Sequence, residues 1–411
     1  MISILCNYFL GLHLAKRSPK TLWRKKLLLI LTLGANLAVL LWFKDWGGSA
    51  GLPLGISFYT FQILSYQIDV YRGEVSREYS FLKFATYVIM FPKLISGPIT
   101  RYGDISDSLT ERTFTVRGLE DGMKLFILGL AAKVLLADRV GILWHEVQVT
   151  GFESISTPLA WLAAIAYSME IYFDFWGYSL MAMGLGRMMG IELPANFRRP
   201  YMARSVRDFY RRWHMTLGQW FCRYVYIPLG GSRQGELRTI FNLLVVWMLT
   251  GLWHGADWNF VLWGLFFAVF LILEKGFLLK PLQKLPVLSH LYTLLLVAVS
   301  FVIFDSAGLS EAAAHLGRMF GAGGAACHRR SALLPRQLCC HLHHRHHRRY
   351  ALSHPLDESP FRRPQNRPGA GSRGPCGPDG PVGGRHCLPG GWLIQSVPLF
   401  PLLRRCRCGK Q

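Results

Sequence analysis

Two histidines lie in aromatic and apolar surroundings, where an imidazole has few partners of its own: His214 in RDFYRRWHMTLGQWFCRYVYIPLGGSR and His254 in LTGLWHGADWN. Burial disfavours the charged form of an imidazole, and a neutral imidazole is what a general base requires. The same pattern also describes a hydrogen-bonded core histidine, so spacing alone leaves both readings open. Ile240, Leu244, Trp247, Gly251 and His254 recur at helical intervals and share one face. Gly251 withdraws a side chain one turn before His254, which leaves space for a ligand or for a neighbouring helix. Trp253 and Trp258 bracket the imidazole.

Two charged groups accompany the histidines. Arg207, Arg211 and His214 repeat at helical intervals opposite a stripe of Phe209, Trp213, Leu217, Trp220 and Tyr224. Read as one helix, this segment lies in the membrane interface with its aromatic side down. Its guanidinium groups then hold lipid headgroups or a phosphorylated donor, while Asp208 pairs with Arg211 or Arg212 on the same turn. Glu170 and Asp174, four residues apart on a helix face, read as an acid/base pair or as structural counter-ions for the arginines that follow.

The elements that must position these residues are apolar runs of membrane-spanning length. The chain has 411 residues, 51% of them hydrophobic and 13% aromatic, the composition of an all-α polytopic membrane protein. Met1 to Ala15 lacks a basic n-region and reads as the end of a membrane helix whose beginning is missing. The cation-rich loop Lys16 to Lys26 is expected on the cytoplasmic side, and Leu27 to Phe43 is a span closed by Lys44 and Asp45. ISFYTFQILSYQIDVYRG carries Gln62, Gln67 and Asp69 as a polar stripe toward the bundle interior or toward neighbouring helices. Pro92 and Gly97-Pro98 interrupt Phe81 to Ile99, which predicts a broken helix lining a cavity or a simple kink. Lys133, inside the next span, is expected to snorkel. Gly177 and the Gly184/Gly186 pair mark close helix packing or a break within Pro158 to Met189. Leu237 to Trp253, Trp258 to Leu273 and Ser289 to Phe304 complete about nine membrane elements, and Glu311 to Phe320 reads as a surface helix.

A formal net charge of +22 would suggest nucleic acid in a soluble protein. In residues 1 to 320 the cations sit mostly in short loops between apolar runs, which suits anionic lipid headgroups, so no nucleic-acid partner is expected. More than half of the excess falls after residue 320. From about Gly324 the sequence loses all periodicity and becomes rich in Arg, His, Cys, Pro and Gly. HLHHRHHRR invites a metal-tract reading, but the cysteines match no zinc spacing and no metal is expected. The chain thus divides into a membrane domain, 1–324, and an anomalous tail, 325–411, which has the mixture expected of GC-rich DNA read out of frame. Only Cys6 and Cys222 precede the tail, so the body has no disulfide framework.

RDFYRRWHMTLGQWFCRYVYIPLGGSR followed by LTGLWHGADWNFVLWG closely resembles the signature of the membrane-bound O-acyltransferase family, in particular its alginate O-acetyltransferase branch. That branch includes polysaccharide acetylation proteins and the D-alanyl transfer protein of teichoic acids. PLGISFYTFQILSYQIDVYRGEV and FPKLISGPITRYGDI are similar to the same branch. The resemblance runs from about Asn7 to Gly324. It implies a helical bundle with broken or re-entrant helices and an interfacial helix, in the cytoplasmic membrane. It implies acyl transfer from a cytoplasmic thioester, acetyl-CoA, to hydroxyls of an extracellular or cell-wall polysaccharide, with no tightly bound cofactor. The catalytic base is then His254, with His214 accessory. Arg207, Arg211, Asp208, Trp253 and Trp213 surround the donor, and Asp174 and Glu170 stand behind them. An extracytoplasmic partner like an SGNH hydrolase receives the acyl group. Family members carry further spans at both ends, which this chain lacks or replaces by its tail. The alternatives are D-alanyl transfer to teichoic acid, a polysaccharide or lipid transporter, which would show inverted repeats that are not seen here, or an inactive gene remnant.

Overall fold

A computed structural model describes residues 2–14, 22–46 and 53–322; the tail expected at 325–411 lies outside them. Every regular element among the described residues is helical. In chain order these are α1 (Ile2–Leu14), α2 (Leu22–Leu41), α3 (Ile56–Arg72), α4 (Phe81–Ile89), α5 (Phe91–Leu94), α6 (Tyr102–Thr110), α7 (Val116–Ala131) and α8 (Asp138–Thr150). They continue as α9 (Thr157–Met188), α10 (Val206–Tyr210), α11 (Met215–Phe221), α12 (Glu236–His254), α13 (Trp258–Leu273), α14 (Leu279–Lys284), α15 (Pro286–Asp305) and α16 (Leu309–Met319). Short π-helical stretches extend α2, α7, α11 and α13, at Trp42–Trp46, Ala132–Ala137, Cys222–Tyr226 and Glu274–Leu278.

Among the described residues, four helical segments are long and apolar enough to cross a bilayer: Leu22–Lys44, Glu236–His254, Trp258–Lys284 and Pro286–Asp305. The chain is a multi-pass, all-α membrane protein. Several other expected membrane elements are shorter or more polar than a free-standing span. α3 shows the reason: it is buried almost all round, so it needs no lipid-facing surface. Its polar residues mostly bond neighbours, Gln67 to the Asn7 carbonyl at 2.6 Å and Asp69 to the Tyr224 hydroxyl at 2.7 Å. Left-handed Gly55 and Gly73 end it on both sides.

The centre of the bundle is α9, an unbroken helix of 32 residues. Its glycines serve close packing and not a break. A Cβ on Gly129 of α7 would stand 2.4 Å from the Gly177 carbonyl oxygen, and one on Gly184 would stand 2.5 Å from that of Gly122. Two glycine pairs therefore bring the α7 and α9 backbones together, as small residues do between membrane helices. Lys133, just past α7, does not snorkel: it pairs with Asp174 of α9 at 2.5 Å and with Asp138 at 2.8 Å.

The expected interruption at Pro92 is present. α4 ends at Ile89, α5 begins beside the proline, and residues 96 to 100, which are not helical, are buried in protein. The basic aromatic segment departs from expectation. It is not one helix: the chain breaks between α10 and α11, where His214 takes the left-handed conformation with φ 43°. The stripe predicted to face lipid is buried against protein instead, with Phe209 at 0% and Trp213 at 6% exposure. Its periodicity reports a packing face shared by two short helices.

Candidate active site

The break at His214 follows from how the chain returns on itself. Asn196 to Arg198 runs beside Arg212 to Met215, held by the Arg198 amide on the Arg212 carbonyl and the Met215 amide on the Asn196 carbonyl, both at 2.9 Å. A left-handed residue is needed to turn from this pairing into α11. The turn carries the His214 ring to Asn196, with Nδ1 3.1 Å from Asn196 Oδ1. The edge of Phe175 packs against the ring at 4.8 Å between centroids. His214 is 5% exposed and its Nε2 has no hydrogen-bond partner. It lies outside the spanning helices, and burial pushes its pKa down to about 3, so the ring is neutral.

The broken helix takes part in this arrangement. Beyond Pro98 the Ile99 amide has no helical acceptor, and it donates to Thr216 Oγ1 at 3.0 Å. Thr216 Oγ1 in turn donates to Asn196 Oδ1 at 3.0 Å. Residues far apart in sequence thus fix one imidazole through a chain of short polar contacts.

His254 is the last residue of α12. Its ring is enclosed by Trp253 at 4.7 Å, Phe304 at 5.0 Å and Trp263 at 5.2 Å. Gly251 makes room for a helix and not for a ligand, since a Cβ there would meet the Phe260 carbonyl of α13 at 2.3 Å. Trp253 is held in an aromatic stack, with Phe61 at 5.3 Å from it and Trp220 at 4.0 Å on the other side of Phe61. Lys44 donates to the Trp253 carbonyl, one of the groups that a helix C-terminus leaves unpaired. The Trp253 ring, 4.7 Å from that of His254, is also 6.3 Å from that of His214.

Both histidines line one cavity of about 430 Å³. Its wall is mostly aromatic and aliphatic, from α9 to α13 and from α15, with Phe175, Trp213, Trp247, Trp263, Phe301 and Phe304 among its residues. Arg207 and Arg211 also line it and are exposed. Arg212 is occupied by Asp208 at 2.9 Å, whereas neither Arg207 nor Arg211 forms an ion pair among the described residues. Below Arg207, the Glu274 carboxylate accepts from the amides of Val206 at 2.6 Å and Arg207 at 3.1 Å. It caps α10 from the π-helical turn after α13.

Of the residues singled out by sequence, His254, His214, Arg207, Arg211 and Trp213 meet in this wall. Asp208 and Trp253 are not among its lining residues. Asp174 and Glu170 lie outside it: Asp174 pairs with Lys133 rather than with the arginines that follow, and Glu170 packs against Gly141. Sequence reasoning missed Asn196, Thr216, Lys44 and Glu274. Only Glu274 carried a signal, as the lone acid closing the apolar run FVLWGLFFAVFLIL.

Comparison with known proteins agrees with this architecture. Residues 17–305 match the family model of MBOAT, the membrane-bound O-acyltransferase family. The chain is 38% identical over 341 residues to a probable alginate O-acetylase AlgI of Pseudomonas putida, covering 78% of this chain and 70% of the relative. It is 42% identical over 273 residues to that of Pseudomonas syringae pv. tomato, covering 66% of this chain and 51% of the relative. A peptidoglycan O-acetyltransferase of Helicobacter pylori is 33% identical over 377 residues, covering 79% of this chain and 70% of the relative. The chain thus spans half to about two thirds of the length of these relatives. On the family match and these identities, the chain belongs to the membrane-bound O-acyltransferase family, in its alginate O-acetylase-like branch.

Proposed function

We propose that the chain transfers an acetyl group from a thioester donor, acetyl-CoA on the cytoplasmic side, to hydroxyls of an extracytoplasmic polysaccharide. The observation that carries this reading is the convergence of His214, His254, Arg207 and Arg211 on one largely apolar cavity. In the reaction, His254 removes the proton of an attacking hydroxyl, whose oxygen adds to the thioester carbonyl. The tetrahedral intermediate then expels the thiolate, which takes the proton back from His254. His214 orients the donor or the acceptor, and Arg207 and Arg211 neutralise the donor's phosphates. The apolar wall excludes water, which would otherwise compete for the thioester.

The polysaccharide acceptor is supported by the names of the relatives, which act on alginate and peptidoglycan. The transfer reaches the polysaccharide through an extracytoplasmic partner like an SGNH hydrolase, and the chain resides in the cytoplasmic membrane. Membranes carrying the chain and its partner, supplied with an acetyl-labelled thioester, test this reading. Covalent label on the polysaccharide with release of free thiol is the expected result. Polysaccharide crossing the membrane unmodified, with the thioester intact, makes the chain a transporter instead.

A further inference from the structure

Asn196 decides which nitrogen of His214 carries the proton. Asn196 Oδ1 lies 3.1 Å from His214 Nδ1, 3.3 Å from the Thr216 backbone nitrogen and 3.0 Å from Thr216 Oγ1. A backbone N–H only donates, so the Asn196 atom that faces it must be the carbonyl oxygen and not the amide nitrogen. An oxygen that only accepts requires His214 Nδ1 to be the donor. In the neutral ring the other nitrogen, Nε2, then bears a lone pair and no proton. That nitrogen is buried and has no partner.

The same wall holds a second unmet polar group of opposite kind. Trp263 lines the cavity, and its indole Nε1–H, which only donates, is buried without an acceptor. Tyr210 lines it as well, with its hydroxyl unpartnered. Buried polar groups are ordinarily satisfied, and a cavity wall with one unmet acceptor and unmet donors is complementary to a ligand that brings both.

We propose that His214 is an acceptor-only subsite of the cavity, fixed in that state by Asn196: it takes an N–H or O–H of the substrate and does not hold the thioester carbonyl. The carbonyl oxygen is left to the donors of the wall. Two parts of the reactants carry the required chemistry, an amide N–H of the thioester's arm and the hydroxyl of the acceptor. The inference rests on the acyl-transfer reading for the identity of the ligand, and not for the state of the imidazole. Asn196 acts through His214 and is a positioning residue.

The test uses the full chain in lipid nanodiscs with 15N-labelled histidine. The His214 signals are assigned by their loss in His214→Asn, because Asn tolerates the left-handed backbone at φ 43°. A protonated Nδ1 and an unprotonated Nε2 are expected in the wild type and in Asn196→Asp, with mixed tautomers in Asn196→Leu. A protonated Nε2 in the wild type overturns the proposal even if Asn196→Leu fails to fold. A non-hydrolysable ketone analogue of acetyl-CoA and a short acceptor oligosaccharide are then added separately. The one that shifts the Nε2 signal supplies the N–H or O–H, and a shift with neither overturns the subsite. Asn196→Leu is expected to raise KM for that ligand on the order of ten-fold, the loss of one hydrogen bond, with Asn196→Asp restoring it; equal KM in all three proteins contradicts the positioning role. The tautomer is read without turnover, so a chain that transfers nothing bears on the acyl-transfer reading alone.

Discussion

Arg207, Arg211 and Arg212 sit within two turns of one another, yet their surroundings differ. Arg212 is held by Asp208, while Arg207 and Arg211 face the cavity without an ion pair among the described residues. A guanidinium left free at the rim of an apolar cavity is available to a phosphate. Arg207→Gln and Arg211→Gln are each expected to raise KM for acetyl-CoA about ten-fold, from the loss of a charge-assisted contact worth about 1.5 kcal/mol, with kcat changed less. Arg212→Gln should leave KM within two-fold. A donor titration on the three variants checks this, and equal effects would place the phosphates elsewhere. Sequence spacing set Arg207, Arg211 and His214 at helical intervals and left the histidines' roles open, and the family resemblance ranked His254 before His214. Neither identified Asn196, because that contact exists only after the left-handed turn at His214 folds the chain back.

At the scale of elements, the helix ends do most of the positioning. α10 has only five residues, too few to be stable alone, and Glu274 holds its first two amides. Glu274→Gln replaces one accepting oxygen by a donor that faces an N–H. It is expected to destabilise the protein by about 1–3 kcal/mol and to raise KM for the donor, since Arg207 moves with the cap. Thermal melting and donor kinetics on the variant test this, and unchanged values in both would show that α10 is held by packing alone. The broken helix was legible from Pro92 and Gly97-Pro98. Its use was not, because the Ile99 amide finds Thr216 only in the folded chain. The aromatic stripe was legible as a face, and the lipid was the wrong partner for it: periodicity reports that a face is apolar, and packing decides what covers it.

At the scale of the molecule, α9 and its glycine contacts with α7 form the frame against which the cavity-bearing helices rest. Gly129→Ala would drive a methyl group into the Gly177 carbonyl, so it is expected to cost about 1–3 kcal/mol of stability. Gly34→Ala on α2 meets nothing within 4 Å and should leave stability unchanged or slightly raised. Comparative melting in the same detergent checks the pair, and equal melting temperatures would deny the close approach. The all-helical membrane class was readable from composition, and the family from the two histidine motifs. The convergence of His214 and His254 was not readable from either, because it depends on the Trp220–Phe61–Trp253 stack joining α11, α3 and α12. The central claim is that His254 is the base for acyl transfer in this shared cavity. It is tested most directly by transfer of labelled acetyl to polysaccharide by His254→Ala, folded and at wild-type abundance in membranes. The account predicts a loss of roughly 10²–10⁴-fold in rate; wild-type transfer by this variant would contradict it.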